Sequence, residues 1–120
     1  MMRPARLALA AAALAMAGAA GATPAAGRYD AQFCVALSAQ APRCGPVEVA
    51  LGADGAAIVR AADIVYVLRL RPTELDLVLM QGTMQLDEFT VPYRWVGDAL
   101  HFADDEKSAR YEVRFGKRRP

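Results

Sequence analysis

Ile64-Val65-Tyr66-Val67-Leu68-Arg69-Leu70-Arg71-Pro72-Thr73-Glu74-Leu75-Asp76-Leu77-Val78-Leu79-Met80 is the stretch on which the reading of this chain turns. Folded back around Pro72-Thr73, it sets Leu70 opposite Leu75, Leu68 opposite Leu77 and Tyr66 opposite Leu79 on one face. On the other face Arg71 meets Glu74, Arg69 meets Asp76 and Val67 meets Val78. Such cross-strand pairs are the unit of sheet stabilisation, and a slip of one residue would move every apolar side chain to the wrong face. A competing signal runs through the same residues. Thr73-Glu74-Leu75-Asp76 looks like a helix capping box, Leu75, Val78 and Leu79 have helical spacing, and Gly82 is placed to end a helix. The matched charges and leucines favour strand over 73–82, because a helix leaves both sets of pairings without a cause.

Moving outward, Gln81-Gly82 turns the chain into a strand over Thr83–Val91. In the register expected here Leu79 meets Met84 and Leu77 meets Leu86, so that Leu68, Leu77 and Leu86 line up across three strands. The same register sets Asp76 between Arg69 and Asp87 in a surface charge row. Upstream, Tyr29, Ala31, Phe33, Val35 and Leu37 alternate with polar residues in Arg28–Ser38, the period of a half-buried strand. Pro42–Pro46 reads as a turn region holding Cys44. Val47, Val49 and Leu51 alternate next, Gly52-Ala53-Asp54-Gly55 reads as a turn, and Ala56–Arg60 returns in an ambiguous register.

Downstream, Pro92 cannot donate to a ladder and marks an edge, bulge or break. Tyr93–Val96 and Ala99–Ala103 form a hairpin on Gly97-Asp98, a Gly-first loop suited to a type II′ turn. This pairs Trp95 with Leu100, Tyr93 with Phe102, and Arg94 with His101 outside. A polar loop, Asp104–Ser108, leads to a last strand with Tyr111, Val113 and Phe115 inward. The fold class is all-β: a small antiparallel barrel or sandwich of about eight short strands. The bulky inward residues Tyr66, Trp95, Phe102 and Tyr111 favour a filled core over a large cavity.

The first 22 residues read as a cleavable export signal, ahead of a flexible lead-in at 23–27, one β domain at 28–116 and a basic tail at 117–120. Arg3 and Arg6 supply a positive start, Leu7–Ala17 contains only Leu, Ala and Met, and Ala20-Gly21-Ala22 is an A-x-A pattern with cleavage expected before Thr23. A spanning helix needs about 20 apolar residues, and this Ala-dominated run is shorter. The expected location is periplasmic or fully secreted. Cys34 and Cys44 are the only cysteines, so export into an oxidising compartment predicts a disulfide between them.

Without Arg3 and Arg6, 12 basic face 13 acidic residues, a formal charge of −1. That balance gives no electrostatic case for nucleic acid. The chemistry available is thin. His101 is the only histidine, and Ser38 and Ser108 are the only serines, so a Ser-His-Asp arrangement has almost nothing to draw on. No metal or cofactor is expected. Zinc would need four ligands, the Asp104-Asp105-Glu106 run lacks calcium-loop spacing, and Met80 and Met84 read as packing residues. Asp76 and Asp87 are the one carboxylate pair to weigh for hydrolase chemistry.

Two fragments resemble pieces of the bacterial inhibitors of C-type lysozyme, a family of exported small β-barrels. Trp95-Val96-Gly97-Asp98-Ala99 is similar to that family's aromatic-Gly-Asp-Ala turn, and Ser108-Ala109-Arg110-Tyr111 to the loop that enters the lysozyme cleft. The resemblance implies an inhibitor of a secreted hydrolase acting through 104–108. The reading preferred from the residues themselves is a non-enzymatic binding or accessory domain of the bacterial cell envelope. Its partner would be an envelope protein or a small ligand, with Asp104, Asp105, Glu106, Lys107 and Ser108 as the candidate binding loop.

Overall fold

The computed structural model describes residues 23–120, and the leader expected over 1–22 lies outside the described residues. Eight strands follow one another: β1 (Gly27–Leu37), β2 (Arg43–Leu51), β3 (Ala56–Ala61), β4 (Ile64–Leu70), β5 (Glu74–Gln81), β6 (Met84–Val96), β7 (Ala99–Asp104) and β8 (Ala109–Arg118). Each pairs antiparallel with its sequence neighbours, and β1 returns to β8, so the sheet closes as a barrel rather than splitting into a sandwich. No helix among the described residues is long and apolar enough to cross a membrane.

The β4–β5 hairpin has the expected register throughout, from Leu70 opposite Leu75 to Tyr66 opposite Leu79, with Arg69 opposite Asp76 on the outer face. Residues 74–81 are strand, not helix. The two leucine pairs nearest the turn face inward, and Leu68, Leu75 and Leu77 are almost wholly removed from water. In β3 the ambiguity resolves in favour of Ala57 and Val59 inward, opposite Leu51 and Val49 of β2. The β6–β7 hairpin also pairs as expected, Tyr93 with Phe102, Arg94 with His101 and Trp95 with Leu100. Gly97 supplies the left-handed turn at φ 61°.

The β5–β6 register differs from the expected one. The turn is Gly82-Thr83, with Gly82 at φ 59° and Gln81 opposite Met84. A bulge then absorbs Leu86, and Leu79 stands opposite Asp87, Leu77 opposite Phe89 and Asp76 opposite Thr90. Met84 and Leu86 are exposed, not core. The cause lies in β6, which runs unbroken through Pro92 as one strand of 13 residues. Tyr93 and Trp95 must face the core, so strand alternation sends Val91 and Phe89 there too. Treating Pro92 as a break conceals that periodicity.

Three smaller differences bear on the ends of the strands. Residues 43–46, expected as a turn, open β2 and set Cys44 directly opposite Cys34, to which it is disulfide-bonded. Leu37, expected in the core, is half exposed at the barrel end. Lys117 and Arg118, expected as a solvated tail, belong to β8. There Arg118 donates to the Ala26 carbonyl, while Arg119 binds Asp30 and Glu48 and its N–H donates to Arg28 O.

The interior is filled in layers. Val49, Val59, Leu68, Leu77, Leu100 and Val113 form an aliphatic waist. Tyr29, Trp95 and Phe115 cluster toward the end that carries the β2–β3, β4–β5 and β6–β7 turns. Phe33, Tyr66, Phe89, Phe102 and Tyr111 cluster toward the other end. That second end carries the β1–β2, β3–β4, β5–β6 and β7–β8 connections. Among the described residues, the three non-glycine residues with positive φ are found there: Ser38, Ala62 and Ser108.

Candidate binding seam between β6 and β7

The barrel wall is incomplete on one side. β6 pairs with β5 from Met84 to Pro92, but with β7 only from Tyr93 to Val96. In a two-residue hairpin closed by Val96 and Ala99, the even residues of β6 turn their N–H and C=O groups toward β7. Pro92 is the next even residue, and it has no N–H. The ladder stops there, and β7 ends at Asp104 without following β6 further. A seam opens between the first two thirds of β6 and the 104–108 loop.

Two features flank this seam. Beside Pro92 lies a groove of about 320 Å³ lined by Pro92, Tyr93, Arg94, His101, Phe102, Ala103, Arg110 and Tyr111. Tyr93, Phe102 and Tyr111 turn their side chains inward: Phe102 is buried, Tyr111 stacks on it at 4.9 Å, and the Tyr93 hydroxyl donates to the Arg71 carbonyl at the β4–β5 turn. Arg94, His101 and Arg110 come from the outer face. The groove thus lays the apolar Pro92 and Ala103 beside a basic rim. Further along, Lys107 crosses the seam. Its ammonium hydrogen-bonds Asp87 on β6, lies 3.3 Å from Asp104 Oδ2, and stands 4.5 Å from the centroid of the Phe89 ring.

The loop that carries Lys107 is built to hold it in place. Asp104 is buried and caps a single 3₁₀ turn, Asp105–Lys107, by accepting from the Glu106 N–H. Ser108 ends the turn in the left-handed region, and its carbonyl accepts from the Ser38 N–H at 2.7 Å. Lys107 holds the Asp87 carboxyl below the usual carboxylate range, helped by the Glu88 N–H, while Asp87 in turn raises the Lys107 ammonium. Burial lifts the Tyr66 and Tyr111 phenols above the ordinary tyrosine value.

The residues singled out from sequence are partly reunited here. Asp87 joins the 104–108 loop rather than Asp76. Of the expected charge row, Arg69 does stand opposite Asp76, but Asp87 does not join it, because the Gly82-Thr83 turn and the bulge at Leu86 place Thr90 opposite Asp76. Asp76 instead accepts from Arg71 at 2.8 Å and from Thr90 Oγ1 at 2.7 Å, so the carboxylate pair weighed for hydrolase chemistry does not form. His101 Nε2 lies 2.9 Å from Glu112 Oε2, not against Ser38 or Ser108. Among the described residues no three His, Cys, Asp or Glu side chains gather as metal ligands.

The two fragments similar to the lysozyme inhibitors sit at opposite ends of the barrel. Trp95–Ala99 makes the β6–β7 turn, and of Ser108–Tyr111 only Ser108 lies outside β8. Sequence reasoning missed Arg94, Arg110 and Phe89 as site residues; the signal available was the alternation Phe89, Val91, Tyr93, Trp95 running through Pro92. No family model, curated protein or solved structure matches the chain.

Proposed function

We propose that this chain is exported and serves the bacterial cell envelope as a non-enzymatic binding domain, taking its ligand at the β6–β7 seam. The observation that carries this reading is the groove at Pro92, where the apolar surface of Pro92 and Ala103 lies on the outer wall between Arg94, His101 and Arg110. Binding sites combine apolar surface with a few convergent polar groups in this way. Elsewhere the barrel interior is packed with side chains, so a ligand is received in the wall rather than in a central cavity.

The test is backbone amide mapping by NMR of the oxidised protein against fractionated small-molecule extract of bacterial envelopes. Shifts confined to Tyr93, Arg94, His101–Ala103, Arg110 and Tyr111 support the reading. Shifts that avoid these residues, or none in any fraction, overturn it. N-terminal sequencing of the protein recovered after expression of the full chain checks export, with Thr23 expected first.

One observation favours a second reading, inhibition of a secreted hydrolase. The exposed Asp105–Ser108 segment is anchored at both ends, by Asp104 and by the Ser38–Ser108 bond, and a rigid loop binds at low entropic cost. Lysozyme activity unchanged by an excess of the protein removes the specific form of this reading.

A further inference from the structure

The ligand class can be argued further from the rim of the groove, on the premise that the seam is the binding site. Arg94 stands directly opposite His101, which stands opposite Glu112. Arg110 is the diagonal neighbour of His101 across Ala103, and diagonal positions are about 7–8 Å apart, within reach of long side chains. Three nitrogen-bearing side chains therefore surround the small Ala103. Among the described residues neither Arg94 nor Arg110 makes an ion pair, whereas Glu112 is engaged by both His101 and Arg114. The buried carboxylate nearest the loop, Asp104, is met by Lys107. The rim offers two guanidinium groups that, among the described residues, have no ion-pair partner.

The charge of the walls agrees. β8 carries Arg110, Arg114, Lys117 and Arg118 against the single acid Glu112, while β5 carries Glu74 and Asp76 and no cation. The near-neutral chain is electrically lopsided, and the groove lies beside the basic wall. Beneath the rim the floor is Pro92 and Ala103, apolar surface that rewards a ring or short chain laid against it. At about 320 Å³ the groove is at the small end of the range for ligand sites.

We infer that the groove binds a small amphipathic organic anion, its carboxylate, sulfonate or phosphate head between Arg94 and Arg110 and its apolar body on Pro92 and Ala103. Guanidinium suits such heads because its donors form a planar fork matched to oxyanions. Glu112 closes the far side of His101 and disfavours a second negative charge there, so the preferred ligand has one anionic head.

Two fluorescent probes with closely similar bodies separate the alternatives: 8-anilinonaphthalene-1-sulfonate, which is anionic, and N-phenyl-1-naphthylamine, which is neutral. The oxidised protein is titrated with each, and amide shifts locate the bound probe. The expected result is seam-localised binding of the sulfonate, at least several-fold tighter than the amine. Arg94→Gln and Arg110→Gln should each weaken it by roughly three- to tenfold, while Arg69→Gln on the opposite wall leaves it unchanged. Neither rim arginine makes an ion pair among the described residues, so these variants should melt with the wild type. Equal binding of both probes at the seam, indifferent to the arginines, overturns the anionic assignment and leaves the seam as a binding site. Failure of both probes to shift seam amides overturns the assignment and the seam reading together.

Discussion

Lys107 and Phe89 face each other across an unpaired stretch of barrel wall, the ammonium 4.5 Å from the ring centroid. The contact stands where the hydrogen bonds of a β6–β7 ladder would be, so a side chain closes what the backbone leaves open. Asp87 accepts from Lys107 and from the Glu88 N–H, tying the clip to an otherwise free edge of β6.

Replacing Lys107 by Met keeps the stem over Phe89 and removes the charge. The expected outcome is faster amide exchange at Glu88, Thr90 and Ala103, with the β4–β5 hairpin unchanged. Hydrogen-exchange NMR measures this directly. Uniform protection in the variant would show that the clip does not hold the seam.

Leu77 and Leu86 separate the observed β5–β6 register from the one expected. Leu77 is 1% exposed and Leu86 45% exposed. Leu77→Ala should cost about 2–5 kcal/mol, and Leu86→Ala less than about 0.5 kcal/mol. Urea denaturation of the two variants decides between the registers, since the expected one buries both leucines.

Ala62 occupies the left-handed region at φ 55° in the two-residue β3–β4 turn. An L-residue pays a steric penalty there that glycine does not, while glycine adds freedom to the unfolded chain. Ala62→Gly should raise the unfolding free energy by about 0.5–1 kcal/mol, read from the denaturation midpoint.

The Cys34–Cys44 disulfide closes a sequence separation of 10 residues. Its contribution by chain entropy is somewhat under about 3 kcal/mol. The double variant Cys34→Ser, Cys44→Ser should fold and lose about that much stability. A loss beyond about 5 kcal/mol in thermal or urea unfolding would mean that the reduced chain cannot align β1 with β2.

Alkaline stability follows from the phenols and from Lys107. Tyr66 and Tyr111 are raised by burial and Lys107 by its carboxylate partners. A raised group stabilises fully below its unfolded value and loses that contribution as pH rises through the folded one. Stability should therefore be level up to about pH 10 and fall above it, where the unfolded chain releases these protons first. Tyr66→Phe should flatten the fall. Asp87 is depressed, so its share is present above about pH 4 and disappears as pH falls through its lowered value.

The elements read correctly from sequence are those where two independent patterns agree. In β4–β5, leucine alternation and charge complementarity pointed to one register, and in β6–β7 Gly97-Asp98 fixed the turn while Trp95, Leu100, Tyr93 and Phe102 fixed the faces. The β5–β6 register was hidden because the bulge at Leu86 reverses the parity of everything after it, and bulges leave no mark in an alternation of Met, Leu and Phe. The Asp104–Ser108 loop was legible as a polar segment. Its partner Asp87 was not, because 20 residues separate Asp87 from Lys107 and the β6–β7 ladder that would align them stops at Tyr93. The rim of Arg94 and Arg110 was legible as outward-facing charge; that it borders an opening was not, since an opening is a partner that fails to arrive.

Pro92 has a consequence beyond the shape of the groove. A half-free strand edge invites a neighbouring molecule to add its own strand, and successive additions grow into fibrils. Along this edge Pro92 offers no donor, the Glu88 N–H is occupied by Asp87, and the bulge at Leu86 bends the chain out of line. An incoming strand would find too few donors in register to dock. The same proline thus withholds a donor both from the β7 ladder and from any strand added along this edge.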